Sequence, residues 1–316
     1  MAVVITGGAG FIGTTVTREL LDAGYKVVAF DRAEPPERVR RTFGAGYTFV
    51  KGEIQDKALV RSLIQEGGDD PIIHLAGILT AGCDRDPELA MAVNVHGMHT
   101  VLEAAREFGL RRVVFASTIG VYGRGLPQPI VESMPTEPDG WYGLTKLMAE
   151  GIGLLYHRRY GLDFRATRFA AVTGAGRTAG SGSASLFTSF IPEKAALGEP
   201  YEIEVEPSVT YPVVYIKDAA HALFVLTTAP SAPRRIYNIS SGSIVTSEMV
   251  AAVKARIPDA QFTYKPDPVI MAVVGGYAGW QISCKAAEED LGYRPAYNAE
   301  QMVEDIIATA RANRGK

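Results

Sequence analysis

MAVVITGGAGFIGTTVTRELLDAGYKVVAFD, Met1 to Asp31, is the stretch whose reading decides the fold. A short apolar run, Val3-Val4-Ile5, leads straight into Gly7, Gly8, Gly10 and Gly13. A helical pattern follows, with Phe11, Ile12, Val16, Leu20 and Leu21 on one side, and Gly24 stops it. Val27-Val28-Ala29-Phe30 is a second buried-strand pattern ending at Asp31. The order is strand, glycine turn, helix, strand, acid. Gly7 permits a tight turn, Gly10 lets backbone approach a pyrophosphate, and Gly13 lets the helix pack close to the strand. The N–H groups at the start of the helix, around Phe11 and Ile12, then face the phosphates. Asp31 lies 18 residues after Gly13, where a carboxylate accepts hydrogen bonds from a ribose diol. A lone glycine fingerprint is weak; here both strands, the helix and the acid stand where dinucleotide binding needs them.

The pattern continues outward. Tyr47 to Val50, Pro71 to Leu75, Arg111 to Phe115 and Phe164 to Arg168 read as further strands. Helical patterns alternate with them: one over Leu59 to Ile64, a long one from about Pro87 to Phe108, and one from Tyr142 to Tyr160. Alternation of this kind predicts an α/β fold of the doubly wound, Rossmann type, with a parallel sheet covered on both faces. The second half changes character. Ala175 to Ser185 is rich in glycine and serine, and short strands and helices then mix. We expect residues 1–170 to form the dinucleotide domain. Residues 171–316 are expected to form a smaller C-terminal α/β substrate-binding region, with segments returning to the first.

Composition narrows the function. With 316 residues, 47% hydrophobic and a formal charge of -3, the chain can bury a full core and offers no basic surface for nucleic acid or anionic lipid. Apolar runs such as Val269 to Val274 are too short to span a bilayer, and a strand beginning at residue 2 leaves no signal peptide. Cys83 and Cys284 make neither a disulfide framework nor a metal site. The expectation is a reduced, cytoplasmic, metal-free enzyme. His96, His99, His157 and His221 show no acidic partner at an interpretable spacing, and His74 reads as a packed strand-end residue.

Tyr142-Gly-Leu-Thr-Lys146 carries the chemistry. Residues four apart share a helix face, so Tyr142 and Lys146 point the same way. Bringing a tyrosine from a pKa near 10 to near neutrality takes about 4 kcal/mol of phenolate stabilisation. An ammonium one turn away and a cationic nicotinamide ring are expected to supply much of it. Ser117 and Thr118 follow the fifth strand, at the carboxyl edge where open α/β sheets bind ligands. The Ser117 hydroxyl either satisfies backbone at the strand end or makes a secondary substrate contact.

Taken together, the Gly7-x-x-Gly10-x-x-Gly13 turn, the FASTIGVYG segment and Tyr142-x-x-x-Lys146 resemble the extended short-chain dehydrogenase/reductase family, also called the NAD-dependent epimerase/dehydratase family. The resemblance implies that Thr118 orients the substrate alcohol, that Tyr142 removes its proton, and that Lys146 also holds the nicotinamide ribose. It implies NAD rather than NADP at Asp31, although Arg32 next to it can pair with a 2′-phosphate. Glu53 and Ile54 match the pair lining the adenine, though the family usually has Asp at the first place. Leu75, Ala76 and Gly77 match backbone lying against the cofactor. Asn94 matches a helix asparagine that is either a cofactor contact or a buried amide. Relatives pair their long helices across a two-fold axis, so a homodimer is expected.

Two departures bear on the substrate. Nucleotide-sugar epimerases carry R-x-F-N-V-Y-G where this chain has Arg168-Phe-Ala-Ala171-Val-Thr-Gly174, and an arginine where it has Tyr211. Other stretches, among them His74 to Ala81 and Tyr264-Lys-Pro-Asp267, are similar to short-chain L-threonine 3-dehydrogenases and run over nearly the whole chain. The segment Gly182-Ser-Ala-Ser185 departs from those enzymes toward the D-erythronate dehydrogenases. The reading is an NAD-dependent dehydrogenase of a small hydroxy acid, sugar acid or amino-acid alcohol, with Thr80, Ser183 and Arg177 as substrate contacts. A nucleotide-sugar epimerase or dehydratase with tightly bound NAD is the alternative, and a non-catalytic cofactor sensor a third.

Overall fold

In a computed structural model, which describes residues 2–67, 71–178 and 183–314 (Arg38 and Gly67 by backbone alone), Val3 and Ile5 of the first strand enter one core while Val4 enters another. Every other side chain of a strand points to the same face, so an unbroken apolar run is what a sheet covered on both sides requires. The first half of the chain runs β1 (Ala2–Thr6), α1 (Phe11–Asp22), β2 (Lys26–Asp31), α2 (Glu37–Arg40), β3 (Tyr47–Lys51), α3 (Lys57–Gly67), β4 (Ile72–His74), α4 (Thr80–Arg85), α5 (Pro87–Ala90), α6 (Gly97–Phe108), β5 (Arg112–Thr118), α7 (Trp141–Tyr160) and β6 (Asp163–Phe169). The second half adds β7 (Ala171–Thr173), α8 (Phe187–Leu197), β8 (Tyr201–Ile203), β9 (Thr210–Tyr215), α9 (Ile216–Thr228), β10 (Ile236–Ile239), β11 (Gly242–Val245), α10 (Thr246–Arg256), β12 (Phe262–Tyr264), α11 (Pro268–Gly275), α12 (Lys285–Leu291) and α13 (Ala299–Arg314).

Seven strands form a parallel sheet in the order β10-β6-β5-β4-β1-β2-β3. Helices α1 and α9 cover one face through Val16, Leu20, Ala219, Leu223 and Leu226. Helices α3, α6 and α7 cover the other through Val60, Ile64, Val101, Leu102 and Ala149. Strand order reverses between β1 and β4, which opens a crevice at the carboxyl edge. The second half builds a smaller core around β9, where Val213 and Tyr215 meet Phe187 and Ile191 of α8 and Met302 and Ile306 of α13.

The long helix expected from Pro87 to Phe108 is interrupted: residues Met91–His96 form a π-helical turn between α5 and α6. The wider turn rotates Asn94 inward, a device often found at functional sites. The segment returning from the second half consists of α9, packed on α1, and β10, which closes the sheet beside β6. Within the glycine-serine stretch, residues 179–182, including Gly182, lie outside the described residues.

Gly13 sits where α1 crosses the glycine turn, and a Cβ there would lie 2.4 Å from Gly7 O and 2.8 Å from Gly8 C. Backbone cannot yield as a side chain does, so Gly13→Ala must push α1 off the turn. We expect it to lower stability by roughly 1–3 kcal/mol and to weaken NADH binding at least tenfold, measured by denaturant titration and NADH fluorescence. An alanine variant with wild-type NADH affinity would show that α1 need not sit this close.

Candidate active site

The carboxyl ends of β1, β2, β4 and β5 converge on the crevice. Gly7, at φ 71°, turns the chain out of β1, and a Cβ on it would lie 2.7 Å from Ala76 N. The turn after β1 and the Leu75–Gly77 segment after β4 therefore interlock. Gly10 caps α1 with no side-chain hydrogen bond, which leaves the first-turn N–H groups of Phe11 and Ile12 directed at the crevice. At the end of β2 the Asp31 carboxylate accepts from Ala9 N (3.1 Å) and Ala33 N (3.2 Å). Arg32 is exposed and has no ion pair with another described residue. Glu53 faces solvent after β3, while Ile54 beside it is buried against Gly97. An uncapped helix start, a close-approach glycine and a fixed carboxylate are the parts that hold a dinucleotide's phosphates and ribose.

At the opposite side of the crevice stand Thr118 and the first turn of α7. Thr118 ends β5, and its hydroxyl accepts from Gly120 N at 3.1 Å. That leaves its own O–H to donate outward. Tyr142 and Lys146 stand one turn apart on α7, whose Gly143 packs against Gly120, two residues after Thr118. The buried Lys146 ammonium donates to Ala116 O (2.9 Å) and lies 4.7 Å from the centre of the Phe115 ring and 5.7 Å from that of Tyr142. A Cβ on Gly77 would lie 3.4 Å from Lys146 Nζ, so the ammonium closes the gap between β5 and the segment after β4. Burial pulls its pKa down to about 8, opposed by the charges of Cys83 and Glu150.

Electrostatics at Tyr142 differ from the expectation. Burial pushes the phenol well above its ordinary value, Cys83 and Tyr277 add to the rise, and Arg177 is the cation that opposes it. Lys146 donates to a backbone carbonyl and not to the tyrosine hydroxyl. Without bound ligands Tyr142 is thus held as the neutral phenol.

Three further residues depart from the sequence expectation or narrow it. Ser117, a candidate substrate contact, is buried, and its hydroxyl donates to Glu150 Oε1 at 2.5 Å. Asn94, a candidate cofactor contact, is a buried amide: Oδ1 accepts from Ile78 N (2.7 Å), and Nδ2 donates to Ile78 O (3.1 Å) and Thr145 Oγ1 (3.1 Å). It ties the segment after β4 to α7 and leaves no group free for a ligand. His221 also has an acidic partner after all, Glu19 at 2.6 Å, which raises its pKa.

The substrate candidates divide between the two walls. Thr80 opens α4 on one side. On the other, Arg177 Nη1 donates to Val172 O (3.0 Å) and Ser185 Oγ (3.2 Å), and Ser183 Oγ lies 3.0 Å from Ser185 Oγ. Tyr211 and Tyr277, with ring centres 6.1 Å apart, complete this wall. Sequence reading missed Tyr277 and Glu150. Glu150 carried a signal: it lies eight residues after Tyr142 on the same buried face of α7, where a lone acid calls for a buried cation. Arg168 is that cation, its Nη2 2.7 Å from Oε2. Tyr277 left none: it stands in the turn after α11, and nothing in its neighbourhood announces the approach to Tyr211, 66 residues earlier.

A sheet edge that pairs a dinucleotide cradle with Thr, Tyr and Lys belongs to a nicotinamide-dependent oxidoreductase. The chain is a member of the NAD-dependent epimerase/dehydratase family, whose model matches residues 3–240, and its cofactor is NAD. It is 31% identical to the mitochondrial L-threonine 3-dehydrogenase of Bos taurus over 310 residues, 96% of this chain and 81% of that one. It is 27% identical to the UDP-glucose 4-epimerase of Corynebacterium glutamicum, over 99% of this chain and 96% of that one. The crystal structure of L-threonine dehydrogenase from Phytophthora infestans superposes with a TM-score of 0.88 at 29% identity, covering 99% of this chain and 100% of that one. Among the described residues no helix is long and apolar enough to cross a membrane, and no group of His, Cys, Asp and Glu is arranged to hold a metal.

Lys146 gives a test with a defined sign. The fall from 10.5 to about 8 corresponds to roughly 3 kcal/mol of burial cost for the charged form, and the hydrogen bond to Ala116 O returns about 1 kcal/mol. The unfolded chain keeps this proton up to its ordinary pKa and the folded chain releases it near pH 8, so the wild type gains stability as pH rises through that window. Lys146→Met is therefore expected to stabilise the ligand-free protein by about 1–2 kcal/mol at pH 7, with the advantage shrinking above pH 8. Denaturant titrations at pH 7 and 9.5 measure it; a variant less stable at pH 7 contradicts the account.

Proposed function

We propose that the protein oxidises the secondary alcohol of a small polar substrate, a hydroxy acid, sugar acid or amino-acid alcohol, with Tyr142 as the general base. The observation that carries this reading is the convergence of Thr118, Tyr142 and Lys146 on one sheet edge, opposite a wall whose Tyr211 offers a hydroxyl where a diphosphate needs a cation. Similarity to L-threonine 3-dehydrogenases over 96% of the chain supports it. The UDP-glucose 4-epimerases among the relatives keep the sugar-nucleotide reading as the outcome to test against.

In this mechanism Thr118 donates its free O–H to the substrate oxygen and fixes the alcohol against Tyr142. Tyr142 Oη takes the alcohol proton. Lys146, with a compact ammonium between β5 and Gly77, holds the nicotinamide ribose. Asp31 holds the adenosine ribose and the N-terminus of α1 the diphosphate. NAD, when bound, supplies the hydride acceptor. The raised pKa of Tyr142 in the ligand-free chain means that proton removal belongs to the ternary complex alone. We place the enzyme in the cytoplasm; both cysteines are free thiols.

Tyr142→Phe keeps the ring and removes the proton acceptor. Turnover is expected to fall about 10²- to 10⁴-fold while the NADH dissociation constant stays within about twofold, read by NADH absorbance and fluorescence. Retention of more than a tenth of wild-type turnover, with chemistry rate-limiting, would remove Tyr142 as the base. Net NADH release identifies a dehydrogenase, since an epimerase returns its hydride within the cycle.

We also propose a homodimer. Trp141, Leu144, Met148 and Leu155 are exposed at spacings of three, four and seven along α7, an apolar stripe on a helix whose opposite face is buried. A second copy related by a two-fold axis covers such a stripe with itself. Light scattering at micromolar concentration is expected to give twice the chain mass, and Met148→Glu to return the monomer. A monomeric wild type would leave the stripe without this partner.

A further inference from the structure

Among the described residues, the arginines that leave solvent all meet a carboxylate, with one exception. Arg112 and Arg165 pair with Asp163, and Arg168 pairs with Glu150. Arg177 has no acidic partner among the described residues. Its Nη1 is used by Val172 O and Ser185 Oγ, whereas Nε and Nη2 make no hydrogen bond to a described residue. A half-buried guanidinium with open donors is costly unless something anionic arrives.

What surrounds Arg177 says where that anion comes from. Tyr142 and Tyr211 are its electrostatic neighbours. Tyr211 packs edge-on against Tyr277, and the Tyr277 hydroxyl and Thr118 both lie over Gly120, where a methyl would meet them at 3.2 and 3.4 Å. A continuous wall thus runs from Thr118 through Tyr277 and Tyr211 to Arg177, with Tyr142 facing it. None of the three tyrosine hydroxyls hydrogen-bonds another described residue. The wall presents one fixed cation, hydroxyl groups and aromatic edges: enough for a single carboxylate and its polar chain, and too little positive charge for a diphosphate. A second anion is near, because the guanidinium carbon lies 5.9 Å from the centre of the Phe11 ring, at the start of α1 where the cofactor diphosphate binds.

We propose that Arg177, with Tyr211 and Tyr277 beside it, binds the carboxylate of the substrate and so sets the substrate class as small hydroxy acids whose reacting hydroxyl stands a few bonds from the carboxylate. This deepens the dehydrogenase reading and rests on it. The site's anion selectivity is then carried by Arg177, shortly after β7, while β9 contributes only a neutral phenol.

The test uses the full-length enzyme, NAD and matched pairs: short 2-hydroxy and 3-hydroxy acids, each beside its neutral primary amide. The wild type is expected to favour acid over amide at least 30-fold in kcat/KM. Arg177→Met should bring that ratio close to one, chiefly through KM, because truncating one side of a buried charge pair typically costs at least about 30-fold. Arg177→Lys should recover part of the preference. The NADH dissociation constant, read by fluorescence, should stay within about threefold in both variants, which also reports that they fold. Loss of NADH affinity with an unchanged acid-to-amide ratio would assign Arg177 to the cofactor diphosphate and overturn the proposal. Net NADH from amides or neutral alcohols with no acid preference would overturn it too, yet leave the dehydrogenase standing. No net NADH from any pair, with NADH still bound, would remove both.

Discussion

The buried carboxylate of Glu150 is the constraint on which the geometry of this site depends. Ser117 and Arg168 are cross-strand partners on adjacent parallel strands, so their side chains rise from the same face of the sheet. Glu150 on α7 spans them, accepting from Ser117 Oγ at 2.5 Å and from Arg168 Nε and Nη2 at 3.0 and 2.7 Å. One turn earlier on the helix, Lys146 donates to Ala116 O, one residue earlier on the strand. Two polar ties, four residues apart on α7 and one apart on β5, fix both translation and rotation of the helix. The first turn of α7, which carries Tyr142, is thereby held against the end of β5, with Gly143 packed on Gly120. A purely apolar interface would hold α7 nearly as well in energy but would tolerate sliding, because hydrophobic contact is non-directional. The charge itself demands the partner: leaving Arg168 without Glu150 would cost about 3–5 kcal/mol.

The network extends beyond the helix. Arg168 Nη1 donates to the Tyr122 hydroxyl (2.9 Å), which donates to Asn238 Oδ1 (2.8 Å) on β10, and Asn238 N donates to Glu132 Oε1 (2.8 Å). The loop after β5 is thus pinned to a strand that comes from the second half of the chain. This explains why β10 must return to the sheet before the catalytic edge is complete. It also separates two kinds of buried charge here. Glu150 and Arg168 satisfy each other and specify position, whereas Lys146 and Arg177 meet only neutral oxygens among the described residues and are costly to bury.

Legibility in the sequence followed locality. The β1–turn–α1–β2 unit could be read because strand run, glycines and acid fall within 31 consecutive residues. Tyr142 and Lys146 were legible because a helix turns spacing into geometry. What escaped was set by distant pairing. Ser117 looked like an edge hydroxyl until Glu150, 33 residues on, was seen to engage it. Asn94 fitted a cofactor contact by position, and a π-helical turn that no periodicity announces directed it at Ile78 instead. Glu19 and His221 are 202 residues apart, and nothing in either neighbourhood points to the other. In the second half, strands of three residues such as β7 and β12 are too short to show alternation, so their pairing had no written signal.

Arg177 adds a consequence of its position. Its Nη1 bridges Val172 in β7 and Ser185 just before α8, so one guanidinium joins the two stems of the segment between them. The same group has Tyr142 and Tyr211 as electrostatic neighbours, and its Nε and Nη2 make no hydrogen bond to a described residue. A carboxylate bound there would neutralise a cation whose pKa burial pulls down to about 10, and would strengthen the field holding the stems together. The charge of a bound anion and the tie between Val172 and Ser185 would then be linked by one side chain, and linkage is reciprocal: whatever steadies that tie would raise affinity for the anion by the same factor. Burial holds Tyr142 as the neutral phenol here, and that coupling would tie the recognition of an acid to the arrangement of the side chains around it.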